Sequence, residues 1–145
     1  TTEGGLDVCS QERALSKIRE KMQGKGVLFS LFIDPDLTQV DASQRILADS
    51  IEINTGKYTE LESPKEIEKE LERIKKSAKR AAEKGLKVFA GHGLNYKNVK
   101  AIAAIPEIEE LNIGHFIVGQ AIYGGMENAV TEMIRSIESG RRQRN

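Results

Sequence analysis

The sequence predicts an α/β protein built on a parallel sheet, and three observations lead there. Short, nearly all-apolar runs, suited to strands buried under helices, alternate with longer stretches whose apolar residues recur at helical spacing. The expected strand ends, near Ile33, Asn54, Ala90 and Ile113, leave room for helical segments between them, as right-handed βα units require. The polar residues that interrupt the apolar pattern gather at those ends: Asp34, then Glu52, Asn54 and Thr55, then His92, then Gly114 and His115. Barrels of the (β/α)8 TIM type keep their functional residues at the carboxyl ends of the strands. The expectation is therefore a (β/α)8 TIM-barrel type of fold, of which this chain supplies about the C-terminal four βα units as a single domain over residues 1–145.

Each element follows from local signals. Ser10 can cap a first helix in which Leu15, Ile18 and Met22 recur among charged residues, with Gly24 and Gly26 closing it. Residues 27–33 are apolar apart from Ser30 and run into Asp34-Pro35-Asp36, the composition of a buried strand. Thr38 with Asp41 resembles a capping box, and Val40, Ile46 and Leu47 supply the stripe of a short helix ending near Ala48. Residues 50–56 alternate as a strand and put Glu52 and Asn54 on one face, which cannot be ordinary core. Ser63-Pro64-Lys65-Glu66 marks a helix start. Ile67, Leu71, Ile74, Ala78 and Ala81 form that helix's apolar stripe, its Lys and Glu residues the solvated face, and Gly85 its end.

Residues 86–90 form the next strand, and Asn95 can cap a helix through Ala103 that Pro106 keeps short. Residues 111–113 are a last short strand before Gly114-His115. Met126, Ala129, Val130, Met133, Ile134 and Ile137 make a stripe expected to be core. Arg141, Arg142 and Arg144 then form a basic tail expected to be frayed and solvated.

Composition narrows the function. With 145 residues, 39% hydrophobic and 30% charged, the chain can bury a sizeable core. Lys plus Arg and Asp plus Glu both number 22, so no global field recruits nucleic acid or an anionic membrane, and an anion site has to be local. Cys9 is the only cysteine, which excludes an intrachain disulfide and a cysteine-rich zinc site and fits a reducing compartment. No stretch approaches the roughly 20 apolar residues of a membrane span, and the polar start is not a signal peptide. A cytoplasmic protein with small-molecule partners is expected. Four strands closed on neither edge expose both edges and the inward face, so the isolated chain is expected to self-associate, as a homo-oligomer, or to stay poorly folded.

The candidate site centres on His92. Gly91 and Gly93 remove the Cβ atoms that would keep a ligand from the backbone, leaving an imidazole beside bare amides, which suits an anionic substrate. The same motif also suits a turn whose histidine merely caps or packs. Gly114-His115 follows the next strand, so the amides of Gly93, Gly114 and His115 can converge on a phosphate at a helix start; Gly114 equally fits a plain helix-opening glycine. Glu52, at the barrel mouth, suits a base or charge stabiliser, and equally one half of a structural hydrogen-bond network.

Five motifs taken together carry a resemblance. Thr1-Thr2-Glu3-Gly4-Gly5-Leu6-Asp7-Val8, Ser30-Leu31-Phe32-Ile33-Asp34, Ile51-Glu52-Ile53-Asn54-Thr55-Gly56, Ala90-Gly91-His92-Gly93-Leu94-Asn95-Tyr96 and Glu110-Leu111-Asn112-Ile113-Gly114-His115 resemble, in order and across essentially the whole chain, the pyridoxine 5'-phosphate synthase family. The resemblance implies a (β/α)8 enzyme of vitamin B6 biosynthesis. It would condense 1-deoxy-D-xylulose 5-phosphate with 3-amino-2-oxopropyl phosphate, giving pyridoxine 5'-phosphate, inorganic phosphate and water. It implies that His92 matches the proton donor, that Glu52 matches the glutamate assisting the transition state, and that Thr1, Gly93, Gly114 and His115 match positions binding the phosphorylated sugar. No metal and no organic cofactor are implied. The chain departs from the family in lacking the Asn-Asp-His, His-Arg-Glu-Asp and Asn-Glu strands of its N-terminal half, and in carrying Asn54 where histidine is usual. Either a longer enzyme contains this chain as its C-terminal part, or another subunit supplies the missing half. The alternative from a different class is a non-catalytic half-barrel that binds sugar phosphates or assembles with itself.

Overall fold

Four strands lie side by side in chain order, all parallel. The computed structural model describes residues 4–144, with β1 (Ser30–Ile33), β2 (Ser50–Asn54), β3 (Lys87–Gly91) and β4 (Ile108–Asn112) paired as β1-β2-β3-β4. The helix α1 (Val8–Met22) precedes the sheet, α2 (Leu37–Arg45) links β1 to β2, and α3 (Gly56–Glu60) with α4 (Pro64–Glu83) links β2 to β3. Then α5 (Val99–Ala103) links β3 to β4, and α6 (His115–Gly124), α7 (Met126–Arg141) and a 3₁₀ turn, Arg142–Arg144, complete the described chain.

Alternation along the strands decides which face is core. Leu31, Ile33, Ile51, Ile53, Val88, Ala90 and Ile108 are buried in the hydrophobic cluster shared with the helices. On the other face the register aligns Phe32 with Glu52, Phe89 and Glu110, and Asn54 with Gly91 and Asn112. Ser30, Lys87, Glu110 and Asn112 are exposed there, and Phe32, Glu52 and Phe89 are half-buried. A doubly wound sheet covers both faces with helices. This sheet covers one, and its strands follow in sequential order, so the fold is α/β and forms part of a (β/α)8-type barrel wall.

Several elements differ from the sequence expectation, each for a local reason. Asp7, not Ser10, caps α1 by accepting from the Ser10 amide, and the amides of Val8 and Cys9 reach the Gln39 side chain at 2.7 and 3.2 Å. β1 starts at Ser30 because Phe29 is engaged elsewhere: its amide donates to the Asp49 carboxylate at 2.6 Å and its carbonyl accepts from the Asp49 amide at 2.9 Å. Val27 and Leu28 stay exposed. Asp36, rather than Thr38, caps α2, and Leu47 turns out to solvent with φ 58 instead of extending the stripe. Pro64 opens α4 as expected, although Ser63 contributes its carbonyl, accepting from Glu66 and Ile67, rather than its side chain.

The C-terminal part departs most. β4 begins at Ile108, because Val88 opposes Ile108 while Phe89 opposes Glu110, leaving Glu109 as an extra residue in a bulge. A separate helix, α6, precedes α7, and the two join at Gly125 with φ 81. α6 is tied down by Phe116, whose ring meets Tyr96 edge-on at 4.7 Å, while the Tyr96 hydroxyl donates to the Ala129 carbonyl of α7 at 3.1 Å. Of the stripe expected as core, Ala129 and Met133 are buried, but Met126, Val130 and Ile134 are exposed, as are Val118, Ile122 and Tyr123 of α6. The tail is anchored rather than frayed: Arg144 donates to the carbonyls of Ala103, Ile105 and Ile108 at 3.0, 2.8 and 3.0 Å, and Arg141 to that of Glu109 at 2.9 Å. Among the described residues no helix is long and apolar enough to cross a membrane.

The tightest helix crossing gives a direct test of this packing. A Cβ on Gly140 of α7 would sit 2.3 Å from the Lys100 carbonyl oxygen and 2.9 Å from its Cα, backbone atoms of α5 that cannot swing away. Gly140→Ala should lower stability by roughly 1–3 kcal/mol, as overpacking does, read as the shift of the denaturant midpoint.

Candidate active site at the strand ends

The strand ends are held together by Thr55, which follows β2 and is fully buried. Its amide donates to the Gly91 carbonyl at 2.8 Å, and its hydroxyl lies 2.8 and 2.6 Å from the carbonyl oxygens of Gly91 and His92, with one proton to share between them. This ties the loop after β3 to the end of β2. The loop then passes through the left-handed region at both His92, φ 83, and Gly93, φ 73. A non-glycine residue held there costs of order 1–3 kcal/mol and persists only where its surroundings over-determine it. The His92 ring is seated between two neighbours. It lies tilted by 56° to Phe32 with centroids 6.3 Å apart, and it passes so close to Gly56 that a Cβ there would be 2.5 Å from His92 Cδ2. His92 is nevertheless exposed, so it is not a buried core histidine.

His92, Gly93, Asn112, Gly114 and His115 line one cavity of about 500 Å³, together with Leu94, Ile113 and Phe116. Four of the residues singled out from sequence are thus brought together; Glu52 is set back beside Asn112, and Thr1 lies outside the described residues. The glycines differ in what they explain. Gly93 has its positive φ and would drive a Cβ to 2.1 Å from Thr59 Oγ1, so its identity has an internal cause. Gly114 has neither constraint, since a Cβ there meets nothing within 4 Å. It stands at the N-terminus of α6, which no side chain caps, leaving first-turn amides available to an anion.

Glu52 is half-buried. Burial is the main cause that raises its carboxyl pKa, and the charge of Glu110 adds to it; hydrogen bonding from the Asn112 side chain and the charge of His92 pull the other way. Sequence reasoning missed Asn112 and Glu110, although the alternation of Glu110 and Asn112 around Leu111 was there to place both on one face.

A second cavity, of about 600 Å³, adjoins the first through His92 and includes Asp34, Asn54, Lys57, Glu70 and Arg73. Asn54 works structurally there, donating to Asp34 at 2.9 Å and accepting from the Gly56 amide at 2.9 Å. Glu70 corrects the reading of α4's charges as a solvated face. It is buried and pairs with Arg73 at 2.9 Å and Lys57 at 3.5 Å. Its spacing from Ile67 and Ile74 already put it on the apolar stripe.

Fold and site together define a protein of the (β/α)-barrel class whose strand ends combine an imidazole, a carboxyl and an open helix N-terminus. The chain belongs to the family described as pyridoxal phosphate biosynthesis protein PdxJ, which it matches over residues 1–139. It is 54% identical over 143 residues to the pyridoxine 5'-phosphate synthase of Sulfurihydrogenibium sp. (strain YO3AOP1), a match covering 99% of this chain and 58% of that protein. The chain therefore spans a little under three fifths of the length of this curated relative.

The electrostatics of Glu52 predict a pH effect on folding. With its folded pKa raised, the native state holds a proton more tightly than the unfolded chain, so stability is lost as pH rises from the ordinary glutamate value of about 4.3 through the folded value. Glu52→Gln removes that loss. Its melting temperature relative to the parent should increase between acid and neutral pH; a constant offset would mean that Glu52 does not titrate differently on folding.

Proposed function

We propose that this chain carries the strand-end site of a pyridoxine 5'-phosphate synthase. The reaction is condensation of 1-deoxy-D-xylulose 5-phosphate with 3-amino-2-oxopropyl phosphate to pyridoxine 5'-phosphate, with release of inorganic phosphate and water. The observation that carries the reading is the cavity in which His92 stands opposite an uncapped helix start, Gly114-His115. Imine formation, phosphate elimination and ring closure require several proton transfers. An exposed imidazole fixed by its backbone, next to a carboxyl whose pKa burial has raised, suits them. In this reading His92 is the proton donor and Glu52 assists the transition state. Gly93, Gly114 and His115 hold the phosphorylated sugar through backbone amides, with Thr1 as a further contact.

The open sheet face favours a site completed by further βα units, so that residues 1–145 act as the C-terminal half of a barrel within a homo-oligomer. The exposed apolar surface of α6 and α7 favours the second reading, a half-barrel that binds sugar phosphates and assembles with itself without turnover. Pyridoxine 5'-phosphate formation by this chain alone and by the chain joined to N-terminal units of the relative separates the two. Turnover in the joined form supports the enzyme; its absence there, with phosphate still bound, leaves the binding module.

Two further outcomes are expected. Titrating inorganic phosphate into the labelled chain should move the amide resonances of Gly93, Gly114 and His115 before others; shifts confined to lysine-rich surfaces would remove the anion site. In a turnover-competent form, His92→Asn should lower kcat by at least about a hundredfold, the usual contribution of a positioned proton carrier. It should move the denaturant midpoint by less than about 1 kcal/mol, because asparagine tolerates the positive φ found at this position. A variant that melts early but turns over normally would end the catalytic assignment.

A further inference from the structure

We infer that Asn112 is a positioning residue for Glu52, holding its carboxyl above the bare backbone of Gly91 and beside the cavity that His92 lines. This deepens the proposed function, since it rests on Glu52 serving the chemistry there. β2 and β4 are two strand spacings apart, roughly 9–10 Å, too far for their side chains to meet over an ordinary residue of β3. Gly91 opens the way. A Cβ built on it would fall 2.4 Å from Glu52 Oε1 and 3.2 Å from Asn112 Cβ, so both side chains converge on the space that a side chain at position 91 would fill. The bulge at Glu109 makes the meeting possible, because it sets Asn112 level with Gly91 on the open face.

Asn112 also lines the cavity with His92, Gly93, Gly114 and His115, whereas Glu52 is not among its walls. The asparagine is therefore the link between the carboxyl and the cavity. An amide donor is suited to this place. It favours the charged carboxylate against burial and against Glu110, the like charge beyond Phe89 in the same row, while His92 acts in the same sense from the loop after β3. Lys87 stands on the same face one row below Phe89, and β1 contributes Phe32, which carries no charge.

The test uses the 145-residue chain and needs no turnover, so its outcome is independent of whether the chain is an enzyme. The Glu52 carboxyl carbon is followed by NMR through a pH titration, assigned by its loss in Glu52→Gln, in a Glu110→Gln background that removes the neighbouring titration. Asn112→Ala should move the Glu52 midpoint up. Asn112→Leu, of similar size but with neither donor nor charge, should move it up as well, and Asn112→Ser, which keeps a donor, should return it part of the way. Midpoints unchanged across the three variants, with the spectra still those of the folded chain, would overturn the assignment. Should Asn112→Ala fail to fold, the uncharged and nearly isosteric Asn112→Leu decides alone.

Discussion

The strand-end geometry depends on the buried hydroxyl of Thr55. Carbonyl groups buried without a donor cost of order 1–3 kcal/mol each, and Thr55 satisfies those of Gly91 and His92 with one hydroxyl and one amide. The parallel register of β2 and β3 places it there, one residue past the pair Asn54 and Gly91. From this the rest follows in order. The carbonyls are pinned, the backbone must turn through positive φ at His92 to leave the strand, and the ring comes to lie between Phe32 and Gly56. A histidine on an untethered loop would sample many directions; the backbone of this one is held by the hydroxyl and amide of a residue on the neighbouring strand end.

Much of this was readable from the chain, and what was not has physical causes. Strands β1 to β3 show themselves because their helix-facing residues are all apolar and their polar exceptions sit at the ends. β4 hides its start because Glu109 and Glu110 look like loop, yet acids are admissible where one face of the sheet is open. The start of α6 is marked by Gly114-His115, but its extent as a helix separate from α7 is not, because its apolar residues surround it instead of forming a stripe, and none of them is buried. Arg144 looked solvated because nothing in its neighbours marks the three carbonyls it reaches, from residues far back in the chain. At the site, His92 and Gly114-His115 stood out as chemistry-bearing residues beside glycine. Asn112 did not, and Thr55 did so only as a polar residue at a strand end, since a lone amide or hydroxyl becomes informative only when its partner across the sheet is known.

Two surfaces of the molecule are unlike those of a typical small domain. The open sheet face carries Phe32 and Phe89 among polar residues, and the outer face of α6 and α7 leaves Ile122 and Tyr123 at 80% and 89% exposure. Where large apolar side chains are exposed together, they mark contact sites. The two surfaces lie on different elements, so covering one does not by itself cover the other. Under the proposed function the sheet face is the inner wall of a completed barrel.

The bulge in β4 bears on how the sequence of this region can vary. Ile108 and Leu111, three residues apart, both belong to the helix-facing side, which strict alternation does not allow; the extra residue Glu109 reconciles them. Loss of Glu109 would leave an ordinary alternating strand with Ile108, Glu110, Leu111 and Asn112 on the faces they already occupy. Gain of a residue between Glu110 and Leu111 would instead turn Leu111 into the open face and Asn112 toward the helices. The bulge is thus where β4 can lose a residue while Ile108, Leu111 and Asn112 keep the faces they now occupy.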